Sequence, residues 1–76
     1  MASIDKLIDK LRRQPNGISP TEMEKVLLAI GYISSGATGS HKQFRQKGKP
    51  IYTLVISKNP VKAYQVKELL KIIDEE

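Results

Sequence analysis

The stretch KQFRQKGKPIYTLVIS, residues 42–57, decides the fold. Two runs favouring β-structure, 42–46 and 51–57, flank the turn signal Lys47-Gly48-Lys49-Pro50, which predicts two strands joined by a short turn. In the first run Phe44 is the residue expected to face the core. In the second run both alternating faces carry apolar side chains, with Tyr52, Leu54 and Ile56 on one and Ile51 and Val55 on the other. We therefore expect the second run to be a central strand.

The chain just before this stretch predicts a helix followed by a short strand. Ser19 is placed to cap the helix, Pro20 suits its first position, and Glu22 completes a Ser-x-x-Glu capping box. Gly31 is a natural left-handed terminator. The segment Tyr32-Ile33-Ser34 then predicts a strand, and residues 35–39 a loop.

The two ends of the chain predict further helices. Ile4, Leu7, Ile8 and Leu11 recur at helical spacing before the turn at Pro15-Asn16-Gly17, and Val66, Leu69, Leu70 and Ile73 do so near the C-terminus. From Ile18 onward the predicted order is α-β-β-β-α. We expect one α+β domain over residues 1–76, with a three-stranded antiparallel sheet and its helices on one face. Residues 18–76 would form the core and residues 1–15 an N-terminal helical extension, which could be loosely attached.

Composition restricts the kind of protein this is. The 76 residues carry a net charge of +5, with 39% hydrophobic and 28% charged residues, which fits one small globular domain rather than a disordered chain. The absence of cysteine excludes disulfides and thiolate metal sites, and a single histidine argues against a structural zinc site. No run reaches the length of a membrane span and the N-terminus lacks a secretion signal, so we expect a cytoplasmic protein without a metal or other cofactor.

The charges are unevenly distributed along the chain. No acidic residue occurs between Glu24 and Glu68, whereas the interval contains eight cations: Lys25, Lys42, Arg45, Lys47, Lys49, Lys58, Lys62 and Lys67. A stretch of this kind attracts polyanions, with nucleic acid first among them. Scattered lysines also simply solvate a surface, and an acidic protein partner is an alternative. Membrane-surface binding ranks last, because no helix combines a basic face with a large apolar one.

The only histidine, His41, lies in this basic interval. If a strand begins there, His41, Gln43 and Arg45 point to the open face, and Lys42 and Phe44 to the other. A histidine can accept the proton of an RNA 2′-hydroxyl or protonate the departing 5′-oxygen, and cations can stabilise charge building on the phosphate. Gly39 would let the backbone approach a phosphate closely.

The sequence offers several candidates for the second proton carrier and an alternative, non-catalytic interpretation of His41. One histidine leaves the second proton transfer to another group or to water, and Lys42, Tyr52 and Lys62 are the candidates. The alternative is that His41 is an ordinary residue at the start of a solvated strand. The three tyrosines could stack on bases, although packing in or beside the core is the commoner use.

These motifs resemble the HicA family, the mRNA-interferase toxins of HicAB toxin–antitoxin pairs. The resemblance covers nearly the whole chain. It rests on Leu27-x-x-x-Gly31-Tyr32, on Gly39-Ser40-His41-x-x-Phe44-Arg45 followed by a turn and an apolar strand, and on the helix Lys62-x-x-x-Val66-Lys67-x-Leu69-Leu70. The segment from Leu11 to Ser19 looks like the extension of longer family members.

The resemblance implies a function and a set of site residues. Such proteins have a fold like that of double-stranded-RNA-binding domains and cleave mRNA without a metal, which inhibits translation. The motif histidine, here His41, is their catalytic residue, and a HicB antitoxin neutralises them by covering it. On this hypothesis Gly39 and Ser40 shape the loop, and the phosphate contacts are Lys42, Arg45, Lys47 and Lys62. We expect a monomer when free and a hetero-oligomer with the antitoxin.

The chain departs from the family pattern at two places. Many members carry an aromatic residue or a second histidine directly after the Gly-Ser-His motif, where this chain has Lys42. The third strand often ends in proline and a basic residue or histidine, whereas here it runs through Ser57 to Lys58. A non-catalytic RNA-binding module of the same fold, or a domain that docks an acidic protein, are therefore the alternatives.

Overall fold

The fold is α+β, as expected. The computed structural model describes residues 2–75, with side chains described from Ile4 to Glu75. Its elements in chain order are α1 (Ala2–Arg13), α2 (Pro20–Ala29), β1 (Ile33–Thr38), β2 (His41–Arg45), β3 (Tyr52–Val55) and α3 (Ala63–Asp74). The strands form one antiparallel sheet in the order β1-β2-β3.

The α2 helix begins and ends as its sequence predicts. The Ser19 hydroxyl accepts the backbone N–H of Glu22 at 3.2 Å, and the Glu22 carboxylate accepts the backbone N–H of Ser19 at 2.9 Å. This reciprocal capping box satisfies two N–H groups that the first helical turn leaves without partners. Gly31 follows the helix with φ at +105°, where a Cβ would also collide with the Gln46 side-chain amide. The left-handed backbone angle is what favours glycine there, since the Gln46 amide is the far end of a flexible side chain and can shift.

Strand β1 is longer than its local sequence predicts. It runs to Thr38, which pairs with His41, so that only Gly39 and Ser40 remain as the turn into β2. The prediction of a loop over residues 35–39 was wrong because a glycine-containing segment with weak β-propensity is held by pairing to its neighbour. The register shifts between Ser34 and Gly36, which marks a β-bulge in this edge strand.

Strand β3 lies at the other edge, and the prediction that it is central was wrong. The central strand is β2. The second apolar face of β3 is only partly covered, since Val55 is half-buried and Ile51 precedes the strand and is exposed. On the outer side of β3, the Gln65 side chain of α3 accepts the N–H of Val55 at 2.8 Å and donates to the carbonyl of Thr53 at 2.9 Å. One amide side chain thus pairs with the edge as a peptide group of a further strand would.

The hydrophobic core lies between the helices and one face of the sheet. Phe44, Tyr52 and Leu54 enter it from the strands, and the helices and loops supply Leu11, Ile18, Met23, Val26, Leu27, Val61, Val66 and Leu69. Leu11 of α1 is fully buried, and Arg12 forms a bidentate ion pair with Asp74 of α3, with its shorter contact at 2.6 Å. The N-terminal helix is therefore packed on the core rather than loosely attached. No helix within residues 2–75 is long and apolar enough to cross a membrane.

Candidate nucleic-acid interface

The alternation of β2 builds a solvent-exposed surface. His41, Gln43 and Arg45 are exposed, whereas Phe44 is buried on the side that the helices cover. The cross-strand register gives three rows: Thr38–His41–Val55, Gly36–Gln43–Thr53, and Ile33–Arg45. We call these eight residues the open face: Ile33, Gly36, Thr38, His41, Gln43, Arg45, Thr53 and Val55.

The open face is positively charged. None of its eight residues is acidic. Four ion pairs involve carboxylates on helices, and they join Lys10 to Glu22, Arg12 to Asp74, Arg13 to Asp9, and Lys42 to Glu24. The acidic side chains of these pairs neutralise cations of the helices and of the helix-covered side of the sheet. Arg45 has no carboxylate partner among the described residues, so its charge is available to a ligand such as a phosphate.

His41 is held by the backbone of its turn. Gly39 has φ at +59°, a left-handed conformation, and an added Cβ would meet nothing within 4 Å. The backbone angle of the turn therefore favours glycine at position 39, and the space around this residue is open. The carbonyl of Ser40 accepts the N–H of Ile56 at 2.8 Å, which extends the pairing of β2 with β3 by one bond beyond the strands. The His41 imidazole makes no hydrogen bond within residues 2–75 and is open to solvent.

Lys42 lies on the opposite side of the sheet from His41. Its Nζ is 3.0 Å from a carboxylate oxygen of Glu24 on α2 and 5.7 Å from the centre of the Phe44 ring. Its side chain is 29% exposed. The structure therefore does not bring Lys42 together with His41, either as a phosphate contact or as a second proton carrier, because adjacent residues of a strand point to opposite faces.

Tyr52 is also on the covered side, which conflicts with its candidacy as a proton carrier. Its ring is buried and its hydroxyl donates to the backbone carbonyl of Gln65 at 2.6 Å. Burial, followed by the nearby Glu68 and Tyr64, raises the pKa of Tyr52 well above its ordinary value. Of the three tyrosines only Tyr64 is exposed, at 55%.

The remaining predicted contacts lie at the two ends of β2. Lys62 is exposed and directly precedes α3, whose Gln65 is bonded to Val55, the residue paired with His41. Lys62 therefore lies at the His41 end of the sheet, as do Gly39 and Ser40. Lys47 is exposed in the turn that follows the opposite end of β2. Arg45 shares the face of His41 at a distance of about 13 Å along the strand.

Sequence reasoning left Gln43 and Thr53 out of the site, although they occupy the middle row of the open face. The alternation of β2 already placed Gln43 on the side of His41 and Arg45, so the signal was present. Thr53 had no such signal, because its place beside Gln43 depends on the register between β2 and β3. Within residues 2–75 no group of three or more histidine, cysteine, aspartate or glutamate side chains is placed to hold a metal ion.

Comparisons of the chain with protein-family models, with curated proteins and with solved structures found no match. The features of the molecule that bear on its function are the geometry of the open face and the motif Gly39-Ser40-His41-x-x-Phe44-Arg45.

Proposed function

We propose that this protein is a metal-independent endoribonuclease that cleaves mRNA. The observation that carries the proposal is the position of His41, the only histidine, on an exposed sheet face whose eight residues include the cation Arg45 and no acid. Polyanions are attracted to such a face, and imidazole is the side chain best suited to proton transfer near neutral pH. The resemblance of the Gly-Ser-His motif to HicA toxins supports the same activity.

The proposed reaction is attack by the 2′-hydroxyl of RNA on the adjacent phosphorus. The 2′-oxygen forms a bond to phosphorus while its proton passes to a base, and the bond from phosphorus to the 5′-oxygen breaks as that oxygen gains a proton. The products are a 2′,3′-cyclic phosphate and a 5′-hydroxyl. His41 serves one of the two proton transfers. Water or Lys62, the one remaining side-chain candidate at this end of the sheet, serves the other.

The cations supply phosphate binding. Arg45 offers a planar guanidinium on the face of His41, and such a group binds phosphate oxygens through two parallel hydrogen bonds. Lys62 at the near end and Lys47 at the far end extend the positive surface in both directions along β2. An RNA strand lying along β2 would therefore contact cations on both sides of the scissile bond.

In the cell this activity is that of a toxin in a toxin–antitoxin pair. Cleavage of mRNA stops translation, and the partner is a HicB-like antitoxin that covers His41. The open face suits such control, because a protein seated on it excludes RNA and solvent from the same histidine. The free toxin would be a monomer and the inhibited form a hetero-oligomer.

The test compares wild type with His41→Ala on a 5′-labelled single-stranded RNA in excess EDTA. We expect scission by wild type and none by His41→Ala, with both proteins showing the same circular dichroism and thermal midpoint. Lys67→Ala is the matched control, since it removes one exposed charge from α3 and leaves the open face intact. Equal scission by wild type and His41→Ala would refute the role of His41.

One observation favours a second candidate, a non-catalytic RNA-binding domain. The His41 imidazole has no hydrogen-bond partner among residues 2–75 to fix its tautomer, whereas catalytic histidines are usually oriented by a second group. On this alternative, wild type and His41→Ala bind the labelled RNA with salt-sensitive affinity and neither cuts it.

A further inference from the structure

Gln43 occupies the centre of the open face, in a row with little else in it. Its neighbour on β1 is Gly36, which has no side chain and around which an added Cβ would find nothing within 4 Å. Its neighbour on β3 is the small, exposed Thr53. The Gln43 side chain is exposed and its amide makes no hydrogen bond within residues 2–75. The row therefore presents one unpaired amide with only small residues beside it on the neighbouring strands.

The spacing along β2 places the Gln43 row between His41 and Arg45. Gln43 lies about 7 Å along the strand from His41, and Arg45 lies about 7 Å further. Each step is close to the separation of neighbouring phosphates in an extended single strand. With the scissile phosphate at His41 and the second phosphate beyond it at Arg45, two nucleotides span the interval, and the base next to the scissile phosphate can reach the Gln43 amide.

The chemistry of Gln43 suits a base rather than a phosphate. A neutral amide adds nothing to charge neutralisation, but it presents a donor and an acceptor side by side. This pair matches the adjacent N6 donor and N7 acceptor of adenine, to which glutamine binds through two hydrogen bonds. Bases of single-stranded RNA expose these edges. Apart from the His41 imidazole, no open-face residue is aromatic, so base selection there depends on hydrogen bonds rather than stacking.

We propose that Gln43 is the specificity-determining residue of this surface and that it selects adenine next to the scissile phosphate. The inference rests on the proposed ribonuclease function and adds a substrate preference to it. Gly36 and Thr53 contribute by leaving room for a base on either side of the amide.

The experiment uses an RNA pool with a randomised central segment, cleaved to low extent in EDTA and sequenced at the new ends. Wild type should enrich adenine at one position beside the cut. Gln43→Ala should reduce that enrichment about tenfold. Gln43→Glu, which replaces the donor with an acceptor, should move the preference from adenine towards cytosine, whose N4 is a donor. Lys67→Ala should keep the wild-type profile.

A binding assay separates failure of this inference from failure of the nuclease proposal. Labelled oligonucleotides that carry 2′-deoxyribose at every position cannot be cut by 2′-hydroxyl attack, so affinity for an adenine-centred and a uracil-centred oligomer can be compared directly. A preference of wild type for adenine that Gln43→Ala abolishes supports the inference whether or not RNA is cleaved. An unchanged base profile in Gln43→Ala, or no base preference by wild type in either assay, overturns it. Loss of cleavage alone, with the binding preference intact, refutes only the nuclease proposal.

Discussion

The two faces of β2 differ in what they contribute, although they alternate residue by residue along five positions. On the covered side Phe44 is buried among apolar side chains and Lys42 is paired with Glu24. On the open side the side chains of His41, Gln43 and Arg45 make no hydrogen bond or ion pair among the described residues. Neighbouring residues of one strand thus differ in their surroundings: the covered positions pack in the core or against α2, and the open positions face solvent, where a ligand could contact them.

The largest contrast is expected between the adjacent residues Phe44 and Gln43. Phe44→Ala should lower the free energy of unfolding by about 3–5 kcal/mol, because it removes a buried ring and leaves a cavity. Gln43→Ala should change it by less than about 0.5 kcal/mol, since its side chain is exposed and unpaired. Urea denaturation monitored by circular dichroism measures both. Comparable losses for the two variants would mean that the faces are not distinct.

The next largest effect is expected at the β3 edge of the sheet, which the Gln65 side chain covers. Gln65→Leu keeps the volume but removes both hydrogen bonds to β3, so the N–H of Val55 and the carbonyl of Thr53 lose their partners. We expect a loss of about 2–3 kcal/mol in stability. Native-state hydrogen exchange should show faster exchange at Val55 than in wild type, while Ile30, whose N–H donates to the carbonyl of Val26 at the end of α2, serves as the internal reference. Unchanged protection at Val55 would contradict the role assigned to Gln65.

Lys42 and Arg45 are only three positions apart but should differ in their contribution to RNA binding. Arg45→Ala should weaken RNA binding and lower the slope of log affinity against log salt by about 1, because one phosphate contact is lost. Lys42→Ala should leave the slope unchanged, since its amine faces Glu24 on the covered side. Fluorescence anisotropy over a salt series provides the measurement. A similar change in slope for both variants would place Lys42 in contact with RNA after all.

The smallest expected effect is a pH dependence of stability that comes from the helices and does not involve the open face. The side-chain hydrogen bond from Lys10, followed by the Ser19 backbone, lowers the pKa of Glu22 from its ordinary 4.5. The folded state therefore favours the carboxylate, and this stabilisation is complete above the ordinary value and lost as the pH falls through the lowered one. Glutamine can still complete the capping box, so Glu22→Gln removes mainly the ion pair with Lys10 and should cost about 0.5 kcal/mol at pH 7.

In thermal melts the difference between Glu22→Gln and wild type should shrink as the pH falls from 7 through the lowered pKa of Glu22, where its carboxylate gains a proton. RNA affinity at pH 7 should be the same for both proteins. A stability difference that stays constant over this range would show that the Glu22 charge is not the source of the stabilisation.

Sequence patterns predicted the features that depend on residues close together in the chain. The capping box at Ser19 and Glu22, the terminator Gly31 and the alternation of β2 all appear as expected, because each depends on residues within a few positions of one another. The features that sequence did not predict depend on pairing between distant segments. β1 extends through Gly36 because β2 holds it, and the place of β3 at an edge depends on which strands pair. The partners of Lys42 and Tyr52 lie on helices 18 and 13 positions away in the chain.

The amide of Gln65 also limits how copies of this sheet can associate. A sheet with two accessible edges can add strands at both, and repeated addition yields a filament. Here α3 lies along one edge and the Gln65 side chain occupies two of its peptide groups. Edge-to-edge association is left with β1 alone, so it ends at a closed pair of molecules and does not propagate. The Gln65 side chain thus blocks strand addition at the β3 edge and prevents growth of a filament.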